Sequence, residues 1–443
     1  MDKITLKNIS KYRKKNNTKK NNLLKNVISS VDITELQNRD IVTQRNNIFY
    51  KKIDTDTTIT NQENSGRCWI FSFLNLLRLN MIKKYKLPPD FELSQTYLFF
   101  WDKLEKSNLF LKHIIETKNL EVDNRLVNHF LKEPTNDGGQ WNMLVNLVNK
   151  YGVIPKTTMN ETYHSRNSEN INTILNNRLR EYAYQIRNNN GIHKKMIDNY
   201  LTEIYKLLVY FLGEPPSKIT WKYYSKDEEG EYTKYNSIYD ITPLDFYHKY
   251  IEMDINDYVV LINVPSKNRP FYHKYDLKYF GNVNGGINTN YINIPIQEFI
   301  NIARKSLDDN QAVWFGSDVD KYLNKSKGYL DQDFLIYDDL FDNKIQLDKG
   351  DKLNYNNSYI THAMLIKGYD IDKNDNITKW LIENSWGEDD NDLKGYLIMS
   401  NRWFQDYVYE IVVNKKYVDN KILNCLKQKP ILLEPWDPLG LLL

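Results

Sequence analysis

Residues 60–77 read TNQENSGRCWIFSFLNLL, and they place a cysteine where a glycine-bearing turn runs into a long apolar segment. Over residues 68–82 the only charge is Arg78, and apolar residues cover every face, which predicts a buried helix. Ser65 is the expected N-cap, its hydroxyl accepting from the backbone N–H of N2 or N3. Cys68 would then be N3, in the first turn, where unpaired N–H groups and the helix dipole stabilise a thiolate. Gly66 lets the chain turn and leaves the sulfur approachable. The plainer reading of a free cysteine is a small buried hydrophobe. Cys425, within NKILNCLKQ, fits that reading well.

A nucleophilic cysteine needs a base. Of the seven histidines, His113, His129, His164, His193, His248 and His273 lie in polar or mixed surroundings and read as structural or solvated. His362 differs, because it opens the apolar run in THAMLIKGY. Further on, Asn384 closes the run in KWLIENSW, and the intervening DIDKNDN is strongly turn-forming. A hairpin in simple register about Lys373 would set His362 directly opposite Asn384, with Cβ atoms roughly 4.5–5.5 Å apart. The amide oxygen would accept from one ring nitrogen and leave the other for a thiol. Cys, His and Asn in these contexts form a known set for acyl transfer. Gln62, in a Gln-x5-Cys spacing, is a candidate oxyanion donor alongside the Cys68 N–H, or else an ordinary loop glutamine. DIDKNDN also resembles a calcium loop faintly, but it lacks the glycine and glutamate such a loop needs, so no metal is expected.

With 443 residues the chain has roughly three domains' worth of length. It is 41% hydrophobic and 26% charged, ample for a core, and its net charge of +3 argues neither for nor against nucleic acid. Two cysteines without a CxxC pattern exclude a disulfide framework and a structural zinc site, and they suit a reducing compartment. The N-terminus has charge but no apolar core, and no run approaches the ~18 residues of a membrane span. A cytoplasmic protein without membrane partners is expected. The run of Lys11, Arg13, Lys14, Lys15, Lys19 and Lys20 reads as a solvated arm or helix face, with weak nucleic-acid binding as the alternative. Residues 94–132 and 195–212 look helical, and SKDEEGEYTKYNS looks exposed. From Tyr258 onward YVVLINVP, AVWFG, AMLIKGY, KWLIEN, KGYLIMS and YVYEIVV read as strands. Helices first and strands later predict an α+β protein.

The Gln-x5-Cys-Trp spacing, the His-Ala pair and ENSWG resemble the papain-like cysteine peptidases. NQENSGRCWIF, DGGQWNMLVNLVNKYGVIPK, LGEPP, ITPLDFY, VWFGSDV, IENSWGED, KGYLIMSNRWFQDYVYEIVV and EPWDPLGLLL are similar more narrowly to the bleomycin hydrolase and aminopeptidase C branch, from about Val27 to the end. The resemblance implies a two-lobed papain-like fold, a helical lobe plus an antiparallel β lobe, with large helical insertions. It divides the chain into a basic arm and helix (1–47), a helical lobe with the nucleophile (48–155), a helical insertion (156–240), a β lobe with His and Asn (241–433) and a C-terminal arm (434–443).

It implies Cys68 as nucleophile, His362 as general base and acid, Asn384 as orienter, Gln62 as oxyanion donor and Trp386 as the cover over the Asn–His bond. Asp137, Gly138 and Gly139 would pair with substrate backbone. Peptide substrates, a homohexameric ring and no cofactor follow from the same likeness. In this branch the C-terminal arm lies in the cleft, and here Leu443 would offer its carboxylate to a substrate's α-ammonium, giving an aminopeptidase. The tail departs from relatives: Leu439 stands where they have Met, and three leucines follow. A hydrophobic tail packed on a neighbouring subunit is the other reading. The rival functions are a non-catalytic basic ring that binds nucleic acid and a papain-fold acyl transferase.

Overall fold

The computed structural model describes residues 3–33, 36, 46–189, 191, 194–334, 340–341 and 346–440. They fall into two compact units, residues 1–46 with 331–345, and residues 47–330 with 346–443. In the first unit the basic run forms two helices, α1 (Leu6–Asn16) and α2 (Lys19–Ile28), capped by the Thr5 and Thr18 hydroxyls. Neither buries a side chain, so the lysines there are a solvated face.

The second unit is built around α3 (Cys68–Tyr85), which is buried from Cys68 through Leu79 and ends on Lys86 in the left-handed region. Around it lie α4 (Gln95–Glu116), α5 (Arg125–Lys132), α6 (Trp141–Tyr151), α7 (Glu169–Asn188) and α8 (Lys194–Leu212). The last two show why these stretches are helical. α7 buries Ile171, Leu175, Leu179, Tyr182 and Ile186, and α8 buries Tyr200, Ile204, Leu208 and Leu212. Three- and four-residue spacing puts each set on one face. The segment expected as a helical insertion also carries an antiparallel hairpin, β1 (Ile219–Ser225) and β2 (Lys234–Ile241). Its polar connection is closed by the Asp227 carboxylate, which accepts the N–H groups of Glu229 and Glu231 at 2.9 Å each.

Apart from the two-residue strands Lys51–Lys52, Leu323–Asn324 and Tyr329–Leu330 at the margins of the same sheet, the remaining described strands are β3 (Tyr258–Ile262), β4 (His273–Leu277), β5 (Tyr291–Asn293), β6 (Val313–Ser317), β7 (His362–Ile371), β8 (Ile377–Glu383), β9 (Tyr396–Ser400), β10 (Val408–Asn414) and β11 (Ile431–Leu433). They form one mostly antiparallel sheet in the order β11-β4-β5-β3-β10-β6-β7-β8-β9. Its centre is covered on both faces. Trp314, Ala363 and Leu365 point towards α3, while Phe315, Met364 and Ile366 join the core beneath the helix Ile296–Asp308. Two-sided burial explains why these strands are unbroken apolar runs.

Glu410 interrupts that pattern in β10 with a carboxyl of 0% exposure, and burial pushes it up to about 8. With its amide turned to donate, Gln140 Nε2 stands 2.8 Å from Glu410 Oε2 and 3.2 Å from the Tyr291 hydroxyl. Between about pH 4.5 and 8 the unfolded chain has released a proton that the native state keeps, so this group lowers stability as pH rises. The slope is at most about 1.4 kcal/mol per pH unit. Glu410→Gln is therefore expected to raise the melting temperature at pH 8 by a few degrees and to match the parent near pH 4.5. Calorimetry at the two pH values checks this. An unchanged difference between them would assign the effect to packing.

Candidate active site

The turn before Cys68 folds on its own side chains. Gln62 Nε2 donates to the Ser65 carbonyl at 2.7 Å, and the Ser65 hydroxyl donates back to the Gln62 carbonyl at 2.6 Å. Ser65 Oγ also accepts from Arg67 Nε at 2.9 Å. Ser65 is thus not the N-cap. Its hydroxyl is spent inside the turn, the cap position falls to Arg67 without a side-chain bond, and Cys68 is the first helical residue instead of the third. Arg67 is fully buried. Its guanidinium pairs with both Glu161 oxygens at 3.1 and 2.8 Å and lies over the Phe71 and Phe99 rings.

The Cys68 sulfur is buried, and the backbone amide of Ala363, at the start of β7, faces it in the sense that favours ionisation. Burial pushes the thiol up to about 11, outweighing the Ala363, Trp69 and Cys68 amides that lower it. Burial thus opposes the resting thiolate expected at the helix start. His362 Nε2 lies 2.8 Å from Asn384 Oδ1. That oxygen also accepts the Ser385 N–H at 2.8 Å, and a backbone amide can only donate, so the atom facing the ring is the amide oxygen. Nε2 therefore carries the proton and Nδ1 keeps its lone pair. Trp386 lies over the imidazole, with ring centres 4.9 Å apart. Burial pushes His362 down to about 4, although Asn384 and Asp320 raise it.

The pairing of His362 with Asn384 is made on the diagonal. The register sets Leu365 against Glu383 and Ile371 against Ile377, so the hairpin turns about Asn374 and not Lys373. The Asp372 carboxylate moves the pivot by accepting the Asn374 and Asn376 amides at 2.8 and 2.9 Å. Asn384 then lies just beyond β8, two residues from the position opposite His362, still within side-chain reach.

Gln62 is held at both ends, since Oε1 accepts from Ser385 Oγ at 2.7 Å and its backbone N–H donates to the Ser385 carbonyl at 2.8 Å. One amide hydrogen serves Ser65, leaving the second. Ser385 was missed from the sequence, although it stands between two singled-out residues. Gly139 packs on Trp69, where a Cβ would come within 2.7 Å of the indole. Gly138 and Gly139 line a cavity of about 470 Å³ together with Tyr359, Pro435, Trp436 and Gly440, so the glycine strip and the arm meet there. Leu443 lies outside the described residues. The described arm is anchored by Asp437 on Arg269 at 2.7 Å, by Arg125 over the Trp436 ring at 3.9 Å, and by fully buried Leu439. Among the described residues no cluster of three His, Cys, Asp or Glu side chains could hold a metal ion, and no helix is long and apolar enough to cross a membrane.

A cysteine opening a buried helix, set against a sheet that carries a buried His–Asn pair, is the layout of a papain-like cysteine peptidase. Residues 3–440 match the Peptidase C1-like family, and the chain belongs to that family. It is similar to aminopeptidase C of Listeria monocytogenes, 40% identical over 400 residues that cover 89% of this chain and 88% of that protein. It is similar to bleomycin hydrolase of Homo sapiens, 39% identical over 435 residues, 95% of this chain and 94% of that one. A crystal structure of PepW from Lactobacillus rhamnosis superposes with a TM-score of 0.95 at 36% identity, covering 100% of this chain and 99% of that one. The chain is a cysteine peptidase of the bleomycin hydrolase and aminopeptidase C branch, with the α+β papain-like fold expected.

Proposed function

We propose that the protein is a cytoplasmic aminopeptidase that works through a Cys68-His362-Asn384 site and a thioester intermediate. The observation that carries the reading is the start of β7. Residue 363 offers its backbone amide to the Cys68 sulfur while residue 362 bonds Asn384 through Nε2, keeping Nδ1 as a base. Thiol and imidazole both rest neutral. The Cys68 proton passes to His362 Nδ1 as the sulfur attacks the amide carbonyl, and the two new charges offset each other without a net change in the pocket. The Cys68 N–H and the second Gln62 amide hydrogen donate to the oxyanion. The imidazolium protonates the leaving amine and the C–N bond breaks. His362 then takes a proton from water, whose oxygen displaces the sulfur from the acyl carbon, and passes that proton to the departing Cys68 sulfur to restore the neutral pair.

The arm supports exopeptidase action, since its described residues end at the cavity lined by the glycine strip. The Leu443 carboxylate is the proposed partner of the substrate ammonium. A homohexamer is the proposed assembly, to be measured by sedimentation. The deciding assay compares aminoacyl fluorogenic substrates with and without an N-terminal block, before and after thiol alkylation. Free N-termini should be cleaved, blocked ones refused, and cleavage lost on alkylation. Removing residues 441–443 should admit blocked substrates, and continued refusal would disprove the role of the arm.

A further inference from the structure

Asp137 was expected, with Gly138 and Gly139, to pair with substrate through the backbone strip, and its carboxylate is fully used inside the protein. Oδ1 pairs with Lys103 Nζ at 2.7 Å and accepts from Asn172 Nδ2 at 2.8 Å. Oδ2 accepts from the Gly66 N–H at 3.2 Å and from the Ser168 hydroxyl. A carboxylate has about four lone-pair sites, and four donors fill them. The Asp137 carbonyl also accepts from Trp69 Nε1 at 2.6 Å. One residue thus grips the chain on both sides of the nucleophile, at 66 and at 69. The fit at Gly66 is close, since a Cβ there would lie 2.7 Å from Asp137 Cβ.

Lys103 is the counter-charge. It is buried, and its ammonium also donates to the Asn136 carbonyl at 2.9 Å. The neighbouring Lys106 shares the Asn136 carbonyl at 3.1 Å but takes its ion pair with Asp102 at 2.8 Å, and it also donates to the Gly138 carbonyl at 2.5 Å. Burial opposes the Asp137 charge, but Lys103, Ser168 and Asn172 hold the carboxyl well below the ordinary range. It is therefore an anion that faces the Cys68 turn, and its charge works against ionisation of the thiol.

We infer that Asp137 and Lys103 are a positioning pair for Cys68: the carboxylate pins the Gly66 amide and with it the oxyanion turn, and the ammonium cancels the charge that the carboxylate would otherwise set against the nucleophile. The inference rests on Cys68 being the nucleophile. The other charged groups around the sulfur are already paired or neutral. Arg67 binds Glu161, Lys106 binds Asp102, His362 binds Asn384, and Asp320 acts on His362. The Asp137–Lys103 pair is therefore the adjustable element.

The test is the pH dependence of Cys68 alkylation by iodoacetamide, followed by mass on the peptide that contains Cys68. Asp137→Asn leaves Lys103 uncancelled and should move the alkylation midpoint down by half a pH unit or more. Lys103→Met leaves the carboxylate bare and should move it up by a similar amount. The double variant should return it towards the parent. Turnover in Asp137→Asn should fall about tenfold in kcat with KM within threefold, because the turn and not substrate binding is loosened. A midpoint in Asp137→Asn that equals the parent's, or moves upward, overturns the inference. Asp137→Asn is isosteric and decides the matter alone if Lys103→Met does not fold. Alkylation needs no turnover, so an inactive parent would refute the peptidase reading while leaving this readout intact.

Discussion

Cys68→Ala should lower kcat by about 10⁴-fold or more on any peptide substrate while the protein stays folded. The sulfur is the atom proposed to form the bond to the acyl carbon, no second thiol stands in the turn, and the Ser65 hydroxyl there is held by the Gln62 carbonyl and Arg67. Its loss removes little structure. The side chain is 2% exposed, the replacement is smaller, and the first helical position accepts alanine without a cap change. The His362–Asn384 bond does not pass through the sulfur and should persist. Fluorogenic turnover beside a thermal melt checks both halves. Activity surviving in a folded variant would end the covalent mechanism.

Glu383→Ala should destabilise the protein by about 3–5 kcal/mol, the largest stability effect expected of one substitution here. Glu383 precedes Asn384 and is fully enclosed. Its oxygens meet Arg78 Nη2 at 3.3 Å, Lys367 Nζ at 2.9 Å and the Thr57 hydroxyl at 3.0 Å. Arg78 belongs to the helix that Cys68 opens, and Lys367 to the strand that His362 opens. One carboxylate therefore ties together the three elements that bring Cys68, His362 and Asn384 to one site. Truncation leaves two cations buried without their counter-charge. Burial alone would push this carboxyl up, but Lys367 and Arg78 hold it below its usual value. Its stabilisation is thus complete above the ordinary carboxylate range and is lost as pH falls through the lower folded-state value. The parent should weaken in acid along a slope that Glu383→Ala lacks. A denaturant midpoint at unchanged m-value measures the loss. A shift worth under 1 kcal/mol would show that the cluster is dispensable.

The mistaken expectations share one character. Ser65 has the right residue type for an N-cap, but its hydroxyl is claimed by the Gln62 carbonyl and the Arg67 guanidinium. The hairpin was expected to turn about Lys373, and the Asp372 side chain moved the pivot by one residue and the register by two. In the turn before Cys68 and in the hairpin alike, a neighbouring side chain in the same turn took the hydrogen bonds that a simpler reading places elsewhere.

Local patterns carry the rest. An apolar helix after a glycine turn, three- and four-residue stripes in the helical lobe, unbroken strand runs in the second half and a turn-rich link between His362 and Asn384 are all properties of neighbouring residues, and short-range sterics and periodicity write them directly into the chain. Ionisation states, the fourfold occupation of Asp137 and the Glu383 tie depend on which distant side chains share a water-free space. Desolvation and pairing act through distance in space, so the folded packing of helix against sheet decides them.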